Sequence, residues 1–485
     1  MPNNINNGDI MESIIEKIKK DTSSIPDMVI RDVSINNKKI YIVFNNSLCD
    51  SEYINRFILD RITLINNTQN LYEEIYNRLP IGNVKEIYSY DEVIKNIFQG
   101  FTIIIVNEKY LIVETRASLD RGINETNSEV SLVGPKDALT ESYIKNLGLI
   151  RKRLRTKELM VDEFNLGTLS NTKVGLLYIS SIADDNLIKK VKEKLRSINI
   201  DGILDTGYIR EIILDNESIF PTVNITERPD NISQALLEGK IAIIVDNTPY
   251  AMIIPTFFID FFHTPDDYYQ KSFNISFIRI IRFLAFIISI FLPAYYISIT
   301  THNPESVPIN LLTNFASQRL KVPFPGFIEA LVMIICFEIL RESDARIPSK
   351  VGTSVSILGG LVIGEAAVNA GILSPIMIIV IAISMVSGLL FTSNYLIYSI
   401  RYFRIIILIL SAFFGLFGLF IGMMLLITKL CSINSFGYPY MAPLAPIIKS
   451  EFRDSIFKFR GKKVRLRNPL LAKKNIIRGK SVWKR

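Results

Sequence analysis

Three stretches of this chain carry no charged side chain: residues 283–301, 376–400 and 405–428. Each is long enough to cross a hydrocarbon layer of roughly 30 Å as a helix. One such run could be the core helix of a soluble protein; three in succession predict a helical membrane domain, placed here at 283–446. Two further segments are ambiguous. Residues 322–340 are apolar but contain Glu329 and Glu338, and residues 351–375 are rich in small residues but contain Glu365. If all five crossed, the basic tail would emerge on the outer face, against the bias of Lys and Arg toward the cytoplasm. Four full crossings and one re-entrant or partial segment are therefore expected, with both termini cytoplasmic.

Charge is distributed unevenly. The chain has a net charge of +8, and its last stretch, 449–485, holds fourteen Lys/Arg against two Asp/Glu. A basic tail after a membrane span reads as a cytoplasmic anchor on anionic lipid. Nucleic-acid binding is the rival reading, weakened because the tail has few aromatic residues and no nucleic-acid-binding fold is evident. Residues 1–26 are polar and lack an apolar stretch followed by a cleavage site, so the large N-terminal region is expected to stay in the cytoplasm.

That region carries a repeat. Residues 91–106 read DEVIKNIFQGFTIIIV and residues 230–245 read DNISQALLEGKIAIIV. Both give an Asp suited to a helix N-cap (Asp91, Asp230), a helix, a Gly suited to its C-terminus (Gly100, Gly239) and an apolar strand. A turn and a second strand follow in each copy. Residues 38–59 and 172–195 both read strand, turn, helix. The expected fold class is an α/β soluble N-terminal region of two related subdomains, followed by an all-α multi-pass membrane domain. The expected boundaries are a polar N-terminal tail at 1–27, subdomains at 28–145 and 146–262, a juxtamembrane segment at 263–282, the membrane domain at 283–446 and a basic cytoplasmic tail at 447–485. The basic cluster Lys271, Arg279 and Arg282 marks the juxtamembrane side as cytoplasmic, and Pro293 should kink the first span.

No catalytic constellation stands out, and enzyme activity is not expected. The only histidines, His263 and His302, flank the first span, and the three cysteines are scattered, so neither a metal nor a cofactor is expected. GGLVIG (359–364) lies in an apolar segment and reads as close helix packing rather than a nucleotide fingerprint. The informative residues are the intramembrane carboxylates, because a charge in hydrocarbon normally faces a cavity, a pore or a partner. Leu358, Val362, Glu365 and Asn369 fall on one helix face, apolar at one end and polar at the other. They are the candidate pore lining. The rival reading makes Glu365 a paired structural residue between helices. Glu329 and Glu338 read better as interfacial or helix–helix contacts.

The apolar half resembles the A-subunit family of bacterial spore germinant receptors, the GerA family. The stretches that carry the resemblance are TPDDYY (264–269), SFIRIIRFLAF (276–286), FLPAYYISITTHNPESVP (291–308), VPFPGFIEALVMIICFEILRESDARIP (322–348), VGTSVSILGGLVIGEAAVNAGILSP (351–375) and SFGYPYMAPLAP (435–446). In the soluble half, VGPKDALTESYIKNLGLIRKRLR (133–155) is similar to the family's Gly-Pro block, with Val133 where the family usually has Arg. The resemblance implies a receptor subunit in the spore inner membrane, with a permease-like B subunit and a lipoprotein C subunit as partners. It also implies a homo-oligomeric ring, with a pentamer as one form, whose gated pore releases monovalent cations and triggers germination. A transporter subunit and a non-sensing accessory paralogue or scaffold are the alternatives. The absence of a repeat within 283–446 disfavours the transporter.

Overall fold

A computed structural model describes residues 7–23, 25–35, 38–65, 70–106, 109–117, 129, 133–214, 218–320, 322–346, 360, 362, 364–391, 393–448, 452, 454–458 and 466–478. The chain forms two compact units. An α/β unit holds residues 1–216, 223–255 and 465–485; a helical unit holds residues 217–222 and 256–464.

The α/β unit contains two five-stranded antiparallel sheets with the same strand order. In the first, β1 (Met28–Ile35), β2 (Lys38–Asn45), β3 (Val84–Ile87), β4 (Phe101–Val106) and β5 (Lys109–Glu114) lie in the order β1-β2-β4-β5-β3. The central strands are apolar at nearly every position because both faces are covered. Alternate side chains point to opposite faces. Ile40, Ile42, Ile104 and Leu111 meet the helical residues between Ser51 and Arg78, which include Ile54, Ile58 and Ile75. Tyr41, Val43, Ile103 and Ile105 meet α1 (Asn7–Asp21) through Ile15 and Ile18, and α2 (Tyr90–Ile97) through Val93.

In the second sheet, β6 (Leu159–Leu166), β7 (Thr172–Ile179), β8 (Asn224–Thr226), β9 (Ile241–Val245) and β10 (Ala251–Ile254) repeat that plan as β6-β7-β9-β10-β8. Helices α3 (Tyr143–Arg153) and α4 (Pro229–Leu237) cover one face through Leu147, Ile150, Ile232 and Leu236. Gly100 and Gly239 end equivalent helices, α2 and α4, with φ of +87° and +89°. That left-handed turn into the next strand is where glycine is the least strained residue.

Three details differ from the sequence reading. The span 1–27 is not only a polar tail, since α1 occupies Asn7–Asp21 and buries Ile15 and Ile18. Leu139 and α3 belong to the second core, which places the start of the second subdomain ahead of residue 146. The N-cap positions are Ser89 and Arg228, so Asp91 and Asp230 sit inside the first turn, where a carboxylate still favours the helix dipole. The subdomains are joined by a buried ion pair. Arg151 donates from Nε and Nη2 to the two oxygens of Asp27 at 2.7 and 2.6 Å, and Ser47 also donates to Asp27 at 2.7 Å.

In the helical unit, α5 (Ser272–Thr301) and the element α9 (Asn394–Ser432) are, among the described residues, the two helices long and apolar enough to cross a membrane. Between them lie α6 (Ile309–Arg319), α7 (Gly326–Arg346), helical residues within 360–369, and α8 (Pro375–Gly388). The run 376–400 is therefore not one span: α8 ends at Gly388 and α9 begins at Asn394. Nor is α9 one straight helix. Gly415 has φ +59° and ψ −140°, which interrupts the helical path. A Cβ on Gly418 would overlap the Leu410 carbonyl oxygen, and one on Gly422 would meet Ile407 at 2.7 Å. Residues eight and fifteen apart cannot touch in a straight helix rising 1.5 Å per residue. The two halves therefore run antiparallel, a helical hairpin reversing at Gly415.

Candidate functional site

The helical unit begins with a charge clamp. Asp267 lies in a short 3-10 turn (Pro265–Tyr268) capped by Thr264, whose hydroxyl donates to it at 2.9 Å. Arg279 Nε and Arg282 Nη1 reach the Asp267 carboxylate at 2.9 and 3.0 Å, and Asp267 and Arg279 are almost fully buried. Arg279 also donates to the Asp454 and Ser455 carbonyls at 2.9 and 3.0 Å, and His263 Nε2 lies 2.8 Å from the Ser455 carbonyl. The motifs TPDDYY and SFIRIIRF thus meet in one network. Arg279 and Arg282, which with Lys271 mark the cytoplasmic side in the sequence reading, are committed to this network, and a buried guanidinium is tolerated only when paired and hydrogen-bonded in this way. The same contacts bring 454–458, where the chain leaves the unit, beside 263–279, where it enters.

A second junction lies deeper. Pro293 has no N–H, so it cannot donate to the carbonyl of Ser289 one turn earlier. That freed carbonyl accepts from Arg404 Nε at 2.7 Å and from the Ser384 hydroxyl at 2.8 Å. Arg404 Nη1 also reaches Met385 Sδ at 2.7 Å. One orphan acceptor therefore ties α5, α8 and α9 together. One turn away, Arg401 pairs with Glu338 of α7 at 2.8 Å, and Arg341 joins at 2.9 Å. Near the start of α7, buried Glu329 accepts from the Ser374 N–H at 2.9 Å, at the N-cap of α8. Both carboxylates are thus helix–helix contacts.

The proposed pore face is placed differently. Val362 is 57% exposed, and Glu365 and Asn369 are also exposed on their helix. Leu358 lies outside the described residues. The partners of Glu329 and Glu338 are instead Ser374, Arg341 and Arg401. Among the described residues, no cluster of His, Cys, Asp and Glu has the makings of a metal site.

Sequence reasoning missed Arg404, because an arginine just ahead of an apolar run reads as the boundary of a span. The available signal was Pro293, which announces a free carbonyl without saying what takes it.

In the α/β unit, a polar cluster forms around the Gly-Pro block. Arg228 donates to Asp230 at 3.0 and 2.8 Å, to the Glu129 carbonyl at 3.2 Å and to the Pro135 carbonyl at 2.9 Å. The Glu129 N–H donates to Glu227 at 3.0 Å, and the Thr226 hydroxyl donates to the Glu129 carboxyl. Burial pushes the Glu129 carboxyl up to about 7, against the Thr226 hydrogen bond and the Arg228 charge.

These features define a class: a duplicated α/β region joined to an apolar helical unit knitted by buried arginines. Residues 16–470 match the family described as Bacillus/Clostridium GerA spore germination protein. The chain belongs to that family, as its motifs suggested. It is 38% identical over 453 residues to spore germination protein KA of Bacillus subtilis (strain 168), covering 92% of this chain and 83% of that one. It is 35% identical over 453 residues to spore germination protein GerQA of Bacillus cereus, covering 92% and 89%. A B. subtilis (strain 168) relative known as uncharacterized membrane protein YfkQ is 35% identical over 447 residues, covering 91% and 87%. Among solved structures, the N-terminal domain of the A subunit of the Bacillus megaterium spore germinant receptor GerK3 matches with 32% identity and a TM-score of 0.40, covering 50% of this chain and 94% of that one.

Proposed function

We propose that this chain is the A subunit of a nutrient germinant receptor in the spore inner membrane, and that copies of it assemble around a gated pathway for monovalent cations. A permease-like B subunit and a lipoprotein C subunit complete the receptor. Family membership supports the germination role. The observation that carries the channel reading is the exposure of Val362, Glu365 and Asn369 on one face of a helix in an apolar unit. An exposed carboxylate there must face water or another subunit, since facing lipid is costly. Glu329 and Glu338, by contrast, already have partners within the chain. A ring of Glu365 carboxylates would concentrate cations, and a ring of Val362 side chains would keep the closed pathway dry.

Ion release from spores carrying variants at matched protein level tests this reading. Val362→Ala is expected to leak cations without nutrient, and Glu365→Gln to slow release after nutrient. Dormant Val362→Ala spores together with normal release from Glu365→Gln spores would place the pathway elsewhere.

A further inference from the structure

The two subdomains are built alike up to their last strand and are then closed by different pieces of chain. In the first, the chain runs on from β5 and stays. The Asp50 N–H donates to the Thr115 carbonyl and the Ala117 N–H donates to the Leu48 carbonyl, both at 2.8 Å, and Arg116 bridges to Cys49. This puts Arg116 over Gly100, where an added Cβ would meet Arg116 Cγ at 3.0 Å and the Leu48 carbonyl at 3.2 Å. In the second, the chain leaves for the helical unit after Pro255. The matching notch, lined by Gly239 and Ile182, is filled instead by residues from the far end of the chain. A Cβ on Gly239 would meet the Ala472 nitrogen, the Leu471 carbonyl carbon and Ile182 Cγ2, each at 3.3 Å.

The fit is chemical as well as steric. Leu471 and Ala472 are fully buried, and Ala472 joins the core of the second subdomain. Around them the basic side chains meet an acidic rim. Lys473 pairs with Asp184 at 2.5 Å, Lys474 with Asp185 at 2.6 Å and Arg478 with Glu238 at 2.6 Å. Arg467 Nε donates to the Leu237 carbonyl at 2.7 Å, and Lys474 Nζ to the Ser180 carbonyl at 3.0 Å. Arg467 also braces the segment itself, donating to the Asn475 and Ile477 carbonyls at 3.0 and 2.8 Å. The basic tail that reads as a lipid anchor thus commits these cations to the protein.

We propose that the notch around Gly239 is a docking site for the chain's own segment 466–478, which closes the second subdomain as residues 115–117 close the first. The helical unit is then an insertion in the second subdomain, tethered to it before Thr256 and again after Val464. The clasp combines a buried apolar pair with partly exposed ion pairs, so salt weakens its rim and leaves its centre.

Carbodiimide coupling of the full chain in native membranes tests the site, because it joins a lysine to a carboxylate only where they touch. Peptide mapping is expected to find Lys473 or Lys474 joined to Asp184 or Asp185. Co-expression of two differently tagged copies then shows whether the link stays within one chain. Lys474→Asp is expected to make 466–478 about two- to fivefold more sensitive to protease, and adding Asp185→Lys to restore protection. No coupling, or coupling only between two tagged copies, overturns closure by the chain's own tail. Equal protease sensitivity of Lys474→Asp with and without Asp185→Lys overturns the ionic rim.

Discussion

At the scale of residues, the most consequential arrangement is a carbonyl freed by a proline and taken by an arginine 115 positions further along the chain. Pro293 costs α5 a hydrogen bond, and Arg404 and Ser384 supply replacements. An unmet buried carbonyl costs about 1–3 kcal/mol. Ser384 still donates to this carbonyl in Arg404→Leu, so the substitution should destabilise the helical unit by the worth of one hydrogen bond to a charged group, about 1.5–3 kcal/mol, measured as the thermal unfolding midpoint in detergent. Adding Pro293→Ala should recover part of the loss, because an alanine there would offer its own N–H to the Ser289 carbonyl. Strictly additive losses would show that the two residues do not share this carbonyl. Glu129 gives a pH signature of another kind. Its carboxyl is raised, so the stability it contributes is full below the unfolded value near 4.5 and is lost as pH rises through about 7. The unfolding midpoint of the α/β unit should fall across roughly pH 5–7.5 more steeply in the parent than in Glu129→Gln. Equal slopes would remove Glu129 as the cause.

At the scale of elements, legibility follows the range of the interactions. The repeated Asp-to-Gly pattern is readable because helix, turn and strand are local, and Gly100 and Gly239 do sit at matching positive-φ turns. The helical hairpin is not readable. FFGLFGLFIG (413–422) is evenly apolar, and nothing in its periodicity marks a reversal. The reversal rests on glycines that let two backbones touch, a contact between residues far apart on one helix. Likewise, the sequence points to Glu338 as a helix–helix contact but cannot name its partner Arg401. The hairpin makes a sharp contrast testable. Gly418→Ala would drive a Cβ into the Leu410 carbonyl oxygen, whereas Gly364→Ala meets nothing within 4 Å. Gly418→Ala should sharply lower the amount of folded protein recovered in membranes. Gly364→Ala should leave it unchanged or slightly raised, since alanine is the better helix former by about 1 kcal/mol. Equal recovery of the two would mean the halves of α9 do not pack at Gly418.

At the scale of the whole molecule, the two ends of the helical unit bear on its topology independently of the count of apolar runs. Counting runs yields four crossings and a partial one, with the final charge cluster choosing the parity. The contacts place the two ends of the unit side by side. Arg279 and His263, at the entrance, bind the carbonyls of Asp454 and Ser455, at the exit. At that end too, the Ser435 hydroxyl, just after α9, donates to the Thr222 carbonyl at 2.7 Å, and the Thr256 N–H donates to Ser435 at 3.2 Å. Entry and exit therefore lie on one face whether the helices within 360–388 span fully or in part. Single cysteines at Ser34, ahead of the helical unit, and at Lys474, after it, test this in a background lacking the three native cysteines. An impermeant maleimide added to sealed vesicles of one orientation should label both or neither. Labelling of one alone would break the shared face. It would also remove the clasp, because segment 466–478 cannot dock on the second subdomain from the opposite side of a membrane.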